Sequence, residues 1–277
     1  MKCIKCNSER TRKDGNHNGL QRYVCLDCRK RFDYGIYENK IDYIVHFNTK
    51  IRKTNHNKLT RKNYCIPTNK ISYTCKKSLQ FYINRFNYKI PNEDYIDENT
   101  YTDKYVKELY EKCMYNYDLN IKYFSTLNHN EFDMYLNSFV SKNKFKEIFD
   151  LKDINQIKGI YILVLDEYNQ VYIGISNNIK KRILAHWNTR HDFDRLIFGD
   201  KENSILSIDS FGALDTTRIF YKEVKYFQDI NNKEYNLISN FNNIYKLNRV
   251  DGGINSEENS DIRNLQLLGS MKQRKFN

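Results

Sequence analysis

Four cysteines near the start of the chain have the spacing of a metal site. Cys3-x-x-Cys6 and Cys25-x-x-Cys28 are separated by 18 residues, a spacing at which two short knuckles can bring four thiolates onto one tetrahedral zinc ion. An iron–sulfur site and four unliganded thiols are the alternatives. The sequence therefore predicts a structural zinc site with Cys3, Cys6, Cys25 and Cys28 as its ligands.

A second set of residues begins with two tripeptides, Gly159-Ile160-Tyr161 and Tyr172-Ile173-Gly174, in two apolar segments separated by a short polar turn. This pattern predicts a hairpin of two strands. Paired strands can place Tyr161 and Tyr172 side by side at one end of the sheet. Gly174 would leave room for a substrate to approach the backbone, so we expect it to contact nucleic acid.

The segment after the second tripeptide predicts a helix that carries Arg182 and His186. Ser176 or Asn177 would cap this helix. Its inner face would consist of three apolar residues, Ile179, Ile183 and Trp187. Arg182 and His186 are four residues apart and therefore share a face. The planar guanidinium of arginine fits a phosphodiester in a way that lysine does not.

A carboxylate and an amide follow further along. Glu234 lies in a helical pattern over 228–241 whose inward residues would be Tyr235, Ile238 and Phe241. One carboxylate with water and phosphate oxygens is a normal environment for Mg²⁺. Asn248 could orient a substrate or a buried loop. Each residue also has a purely structural interpretation, as a cross-strand aromatic, a solvated helix face or a surface charge.

Taken in order, these residues resemble the GIY-YIG nuclease family, and the resemblance covers 157–252. It implies a small α/β domain with a mixed sheet flanked by helices. It also implies roles in metal-dependent phosphodiester hydrolysis: Tyr161 as base or proton relay, Arg182 on the phosphate, Glu234 on Mg²⁺, Tyr172 and His186 as hydrogen-bond partners, and Asn248 as the family's late asparagine. A tyrosine can act as a base only where nearby cations favour the phenolate.

The cysteine segment resembles the zinc ribbon at the front of many insertion-sequence transposases. The shared features are the two Cys pairs, Lys13-Asp14-Gly15, and the run from Gln21 to Phe32. The resemblance implies DNA contacts through basic residues, here Arg22, Arg29, Lys30 and Arg31, and cations on a rigid ribbon suit phosphate. Zinc ribbons also bind other proteins, so an adaptor role is the alternative.

Composition narrows the class of partner. The chain has 46 Lys and Arg against 34 Asp and Glu, a formal net charge of +12, which favours a polyanion such as DNA. No apolar run approaches the roughly 18 residues of a membrane helix, so we expect no membrane partner. Seven cysteines and a start without an apolar signal segment favour a reducing, cytoplasmic location.

Pattern changes divide the chain into five segments, and the fold class is α+β. We expect a zinc ribbon over 1–36, a basic, mainly helical region over 37–95, a helical spacer with its own core over 96–153, the nuclease domain over 154–254, and a polar tail over 255–277. In the basic region, helices over 57–64 and 71–86 would form a helix-turn-helix, the second capped by Thr68 or Asn69.

The function predicted from these features is an endonuclease that cuts double-stranded DNA with a divalent metal, targeted by the ribbon and the basic region. A homing, mobile-element or phage enzyme fits this arrangement. The alternative is a DNA-binding regulator or transposition accessory with a domain that does not cut. Monomer and dimer on DNA both remain open. Asp209 and Asp215 have no predicted catalytic role, and their segment is expected to shape the cleft.

Overall fold

A computed structural model of the chain describes residues 1–17, 20–34, 42–86, 93–197, 200–224 and 230–249. Two compact units, Met1–Asp42 and Tyr43–Asn277, contain these residues. The predicted polar tail lies outside the described residues, as do the last two residues of the predicted ribbon. None of the described helices is long and apolar enough to cross a membrane.

The first unit contains a three-stranded antiparallel sheet, β1 (Thr11–His17), β2 (Leu20–Cys25) and β3 (Arg31–Tyr34). Its small core consists of Cys3, Cys25 and Phe32, with Tyr23 packed against them. The register of β1 with β2 shifts between Lys13 and Asn16, where Gly15 has a φ of +77°. The β1–β2 pair therefore leads directly into the second cysteine pair, because Cys25 is the last residue of β2.

The second unit begins with two hairpins and short helices. Its elements in chain order are β4 (Tyr43–His46), β5 (Thr49–Arg52), α1 (Arg61–Tyr64), α2 (Tyr73–Phe86), β6 (Tyr95–Asp97) and β7 (Thr100–Tyr101). The remaining elements are α3 (Asp103–Ser125), α4 (His129–Lys142), β8 (Lys146–Ile148), β9 (Gly159–Leu165), β10 (Gln170–Ser176), α5 (Ile179–Asn188), β11 (Arg218–Glu223) and α6 (Ile230–Asn240).

A four-stranded sheet in the order β10-β9-β11-β8 forms the centre of this unit. Every paired strand in it runs antiparallel to its neighbour, so the expected mixed sheet is wrong for the described strands. β9 and β10 are joined by a turn of only a few residues, which imposes the antiparallel direction. The parallel contact in this region is an isolated bridge between Val171 and Lys246.

Both faces of the sheet are covered because apolar residues occupy alternate positions on each side. Tyr161, Leu163 and Leu165 of β9 face one cluster, which also includes the apolar side of α5. Ile160, Ile162 and Val164 face the other, which includes residues of α4 and α6. β9 is therefore buried along its whole length.

The predicted helical spacer does not have a core of its own. Its helices form as α3 and α4, but Phe132 and Leu136 of α4 are fully buried in the cluster on one face of the sheet. Cys113 and Phe124 of α3 belong to the cluster on the other face. An amphipathic pattern in the sequence indicates that one face of a helix is buried, but it does not show which element packs against that face. For this reason the separate core was predicted wrongly.

The basic region also differs from the predicted pair of helices. The second helix forms, but Ser72 caps it, accepting from Cys75 N–H at 3.2 Å, so Thr68 and Asn69 are not its caps. The first is a single turn, α1, which begins after Thr60 in a capping box. It ends at the extended Cys65, and Pro67 disfavours helical backbone at the next residue, Ile66.

The region before α1 is clamped to the segment 212–215, which precedes β11. Leu214 N–H donates to the Asn57 carbonyl oxygen at 2.7 Å, and Leu59 N–H donates to Asp215 Oδ2 at 2.7 Å. A Cβ on Gly212 would lie 2.3 Å from the Asn57 carbonyl carbon, so only glycine permits this approach. This clamp fixes the end of the Asp209–Asp215 segment, which the sequence predicted to shape the cleft.

Candidate active site and four-cysteine cluster

The two tyrosines of the tripeptides lie diagonally across the β9–β10 pair. Tyr161 is opposite Gly174 and Tyr172 is opposite Leu163, and the two ring centroids are 6.3 Å apart. Tyr161 is fully buried, whereas Tyr172 is half-buried. The hairpin thus brings the two phenols together as the sequence predicted.

Gly174 does not leave an open approach for a substrate. A Cβ at this position would lie 2.5 Å from Tyr161 Oη and 2.9 Å from Tyr172 Cε1. The space that a side chain would need is filled by the two phenol rings, and the glycine itself is buried. The missing side chain at Gly174 therefore permits the tyrosines to pack, and contact of Gly174 with nucleic acid stays a prediction.

Helix α5 carries Arg182 and His186 past these phenols. Asn178 caps it, accepting from Lys181 N–H at 2.9 Å, in place of Ser176 or Asn177. Ser176 instead donates to the carbonyl oxygen of Asn178. The predicted inner face is correct: Ile179, Ile183 and Trp187 are buried. This anchoring fixes the direction in which the other face of α5 points.

His186 is held at both ring nitrogens. Tyr161 Oη lies 2.8 Å from His186 Nε2, and Asp209 Oδ1 lies 2.6 Å from His186 Nδ1. An ionised Asp209 accepts from Nδ1–H, which leaves Nε2 as the acceptor of the phenolic proton. His186 is only 3% exposed, so the three groups form a buried line from phenol to imidazole to carboxylate.

A cavity of about 190 Å³ opens beside this line of groups. Its wall includes Tyr172, Arg182, His186, Asp209, Glu234 and Asn248. Tyr161 lies behind Tyr172 and His186 and is not part of the wall. Five of the six residues predicted to be catalytic therefore surround one cavity, and the sixth contacts it through His186.

The residues around this cavity lie on a strand pair, on the helix that follows it and on a second helix, and this segment of the chain matches a known domain. Residues 157–248 match the GIY-YIG catalytic domain. This confirms the resemblance over that segment, which ends at Asn248. No curated protein and no solved structure matches the chain significantly, and no transposase-like family is shown for the cysteine segment. GIY-YIG domains have a nuclease-type fold and usually act as endonucleases.

Within the GIY-YIG domain, both phenols hold their protons at neutral pH. Burial raises the pKa of Tyr161 well above its ordinary value of 10.0, and Tyr172 raises it further while Arg182 lowers it. Burial also raises the pKa of Tyr172 to about 12, again opposed by Arg182. Burial would lower the pKa of Arg182, but the adjacent phenols outweigh it and raise that pKa. A free phenolate is therefore disfavoured, and a phenol that passes a proton on is favoured.

Asn248 closes the open edge of the sheet. Its side chain accepts from Ile173 N–H at 3.0 Å and donates to the Ile173 carbonyl oxygen at 2.7 Å. The amide thus pairs with β10 as a neighbouring strand would, and Asn248 is buried. Of the two roles considered from sequence, its contacts match the ordering of a buried loop.

Glu234 and its neighbours on α6 are placed only partly as expected. Glu234 is half-buried on the wall of the cavity, and Ile238 and Phe241 face inward. Tyr235 does not, because it is 49% exposed and Leu237 occupies the inner face instead. The described part of this helix begins at Ile230, so the first two residues of the predicted helix lie outside the described residues.

Sequence reasoning missed Asp209. It lies in a short 3₁₀ turn, Ile208–Ser210, where no periodic pattern announces a buried carboxylate. Burial would raise its pKa, but the hydrogen bond and charge of His186 outweigh that effect and hold it below its ordinary value of 3.8. The signal that could have found it is chemical: a histidine that accepts from a tyrosine needs a partner for its other ring nitrogen.

The four cysteines of the first unit meet as predicted. Their sulfur atoms all lie within 4.8 Å of one another, and the Cys3–Cys28 and Cys6–Cys25 sulfur pairs are 3.6 Å apart. Four thiolates about 2.3 Å from a central ion would lie at similar separations. Backbone N–H donors from Cys28 and Asp27 lower the pKa of Cys25 to about 6, whereas the neighbouring thiols raise the pKa of Cys6 to about 12, so the support for a metal site comes from the geometry. The cluster therefore fits a tetrahedral zinc ion.

The basic residues of the ribbon differ in their contacts. Arg22 pairs with Asp33 at 3.2 Å and Arg31 with Asp14 at 2.6 Å. Arg29 and Lys30 are exposed and form no ion pair with the residues that the structure describes. Of the four predicted DNA contacts, these two are the better placed to meet phosphate.

Proposed function

We propose that the chain is a metal-dependent DNA endonuclease, directed to double-stranded DNA by its four-cysteine unit and by the basic region over 37–95. The observation that carries the proposal is the shared cavity, where a guanidinium, an imidazole backed by a carboxylate, and a second carboxylate converge. Phosphodiester hydrolysis requires charge neutralisation at phosphorus, removal of a proton from water, and help for the leaving oxygen. The three groups supply chemistry for each requirement.

The protein groups divide these tasks. Arg182 binds and orients the phosphate through its planar fork. Tyr161 takes the proton of the attacking water as it passes its own proton to His186 Nε2, 2.8 Å away, which avoids a free phenolate whose formation burial disfavours by raising the pKa. Because Tyr161 lies behind Tyr172 and His186, the water reaches its hydroxyl only when these side chains move apart. Asp209 stabilises the resulting imidazolium of His186. Tyr172 and Asn248 hold the wall of the cavity and the edge strand in place.

Glu234 would hold the divalent cation, since it is a hard oxygen ligand on the cavity wall. When bound, Mg²⁺ supplies charge neutralisation beside the leaving oxygen. The thiolates of Cys3, Cys6, Cys25 and Cys28 would hold a structural zinc ion, which has no part in the reaction. A mobile-element or phage setting, in the cytoplasm, agrees with a DNA-reading unit joined to a nuclease domain.

The proposal is tested by incubating the zinc-loaded protein with supercoiled DNA, with Mg²⁺ or EDTA. We expect nicking that requires the metal and falls at least about 100-fold in Arg182→Ala and in Glu234→Ala, because each removes a charge needed in the transition state. DNA binding, measured in parallel, should be largely retained. Lys181→Ala on α5 and Glu111→Ala on α3 remove exposed charges outside the cavity and should cut normally.

The outcomes separate the candidate functions. Normal cutting by either active-site variant would show that the residues are assigned wrongly. Salt-sensitive DNA binding with no cutting by the unmodified protein would favour the regulator predicted as the alternative. Salt-independent binding to another protein, with no affinity for DNA, would favour the adaptor.

A further inference from the structure

A larger cavity, of about 410 Å³, lies on the other side of Asp209 from the catalytic one. One wall comes from residues 52–68, which precede the GIY-YIG domain, and the other from residues 187–211 within it. The two walls are held together by the clamp between residues 57–59 and 212–215. This cavity is therefore a built feature of the second unit and is larger than its catalytic neighbour.

Two polar side chains of the cavity wall have an atom without a partner. His56 Nδ1 and Ser210 Oγ have no hydrogen-bond partner in the described part of the chain, and both residues belong to the cavity wall. Both atoms are themselves buried, so a ligand in the cavity would reach them only after these side chains turn. The wall therefore offers polar side chains that suit a ligand with hydrogen-bonding groups of its own.

Two guanidinium groups border the same cavity. Arg52 and Arg190 belong to its wall and form no ion pair with any described residue. Both arginines are exposed to solvent, as is Asp192, a carboxylate of the same wall. The other carboxylate of the wall, Asp209, is engaged by His186. The arginines are therefore placed to meet an anion, and a planar fork suits phosphate.

The inner part of the cavity is apolar and aromatic. Trp187 and Phe193 belong to its wall and are 7% and 5% exposed. Pockets for small organic ligands combine such surfaces with a few polar groups, at volumes of about 300–1,000 Å³. A ligand with a flat, partly apolar ring and a phosphate has the matching chemistry.

The catalytic cavity is the immediate neighbour. Asp209 belongs to both walls, and the consecutive residues His186 and Trp187 of α5 face one cavity each. A DNA strand with its phosphate beside Arg182 would therefore bring an adjoining nucleotide to the larger cavity. Enzymes that hold single nucleotides in pockets take them out of the stack.

We propose that the larger cavity binds one nucleotide of the substrate strand next to the cut, with its phosphate on Arg52 and Arg190 and its base against Trp187 and Phe193. The nucleotide chemistry rests on this cavity alone, and the assignment to a substrate strand rests on the proposed endonuclease. A free nucleoside monophosphate presents the same groups, so the experiment separates the two sources.

Trp187 provides a direct readout because it is the one tryptophan of the chain. Titration of the full-length protein with each deoxynucleoside 5′-monophosphate should change the tryptophan fluorescence in a saturable way. Inorganic phosphate should bind more weakly, since it lacks the base. No saturable change with any nucleotide would overturn the proposal.

Variants show whether the response comes from this cavity. Arg190→Ala should weaken nucleotide binding about tenfold or more, the value of one charge-assisted contact, and Arg190→Lys should weaken it less. Lys112→Ala removes an exposed charge from α3 and should bind normally. A response unchanged in both Arg190→Ala and His56→Ala would overturn the site. Circular dichroism confirms that each variant is folded.

A short single-stranded oligonucleotide identifies the source. If the strand is the ligand, the oligonucleotide should displace the mononucleotide and bind more tightly. Failure to compete would overturn the assignment to the strand. Glu234→Ala should abolish nicking and keep the nucleotide response. If the unmodified protein responds to nucleotides but does not nick DNA, only the proposed endonuclease activity is refuted. If it nicks DNA but does not respond to nucleotides, only the proposed nucleotide site is refuted.

Discussion

The two units assemble their functional groups over very different lengths of chain. In Met1–Asp42 the four thiols lie between residues 3 and 28 and meet around a core of three buried side chains. In Tyr43–Asn277 the groups of the catalytic cavity come from β10, α5, a 3₁₀ turn, α6 and the segment after it, above two large apolar clusters. We therefore expect the first unit to depend on a bound metal ion for its stability and the second to depend on burial of apolar side chains.

Removal of zinc should change the protein most, and it tests whether the two units are stabilised in different ways. A strong chelator should unfold Met1–Asp42, because structural zinc contributes about 10–16 kcal/mol in small domains with so little core. The second unit should stay folded. Amide NMR spectra before and after chelation would show signals of the first unit collapsing and those of the second unchanged. Loss of both sets of signals together would show that the second unit also depends on the metal.

A smaller effect is expected from Asp209→Asn, which keeps the shape of the side chain and removes its charge. Nicking should slow by about 10- to 100-fold, because Asp209 holds the proton acceptor in position. The pKa of Asp209 is lowered in the folded state, so its contribution to stability is present above the ordinary value of 3.8 and lost as pH falls through the lower folded value. Chemical denaturation should therefore show the variant less stable at neutral pH and the difference vanishing in acid.

Asp209→Glu is the matched control, since it restores the charge with a longer side chain. Partial recovery of the nicking rate by this variant would support a positioning role for Asp209. A normal rate in Asp209→Asn would show that the second unit needs no partner for His186.

The smallest effect is expected from Arg29→Ala with Lys30→Ala in the ribbon. If each residue contacts one phosphate, the slope of log affinity against log salt should fall by about 0.9 per residue removed. Arg22→Ala, which removes a cation already paired with Asp33, should change the slope less. Equal slopes in all three proteins would indicate that the first unit does not bind DNA and would favour the adaptor role.

Local patterns predicted much of the second unit. Two apolar segments around a polar turn predicted β9 and β10, and three-to-four spacing predicted α2, α3, α4 and the inner face of α5. The errors arose where neighbouring residues could serve the same purpose. Asn178 caps α5 in place of Ser176 or Asn177, because its side chain accepts from Lys181 N–H. Tyr235 is exposed because the buried face of α6 carries Ile230, Leu237 and Ile238, and Tyr235 lies on another face.

Contacts between distant residues could not be predicted in the same way. Gly174 was assigned to a substrate, but its missing side chain is needed by Tyr161 and Tyr172. Asp209 had no predicted role, because nothing within the turn that carries it indicates that His186 lies 2.6 Å away. Both are facts about which side chains meet across the sheet and the cleft.

The sequence by itself determined the four-cysteine site and the identity of the GIY-YIG residues, because each depends on residue type at short spacing or in a fixed order. Only the tertiary structure decided that Tyr161 lies behind His186, that Asp209 contacts the imidazole, and that residues 52–68 help to form a second cavity beside the first. These three features depend on how the two apolar clusters pack against the two faces of the central sheet. Such packing is determined by all the contacting residues together, which are distant in sequence.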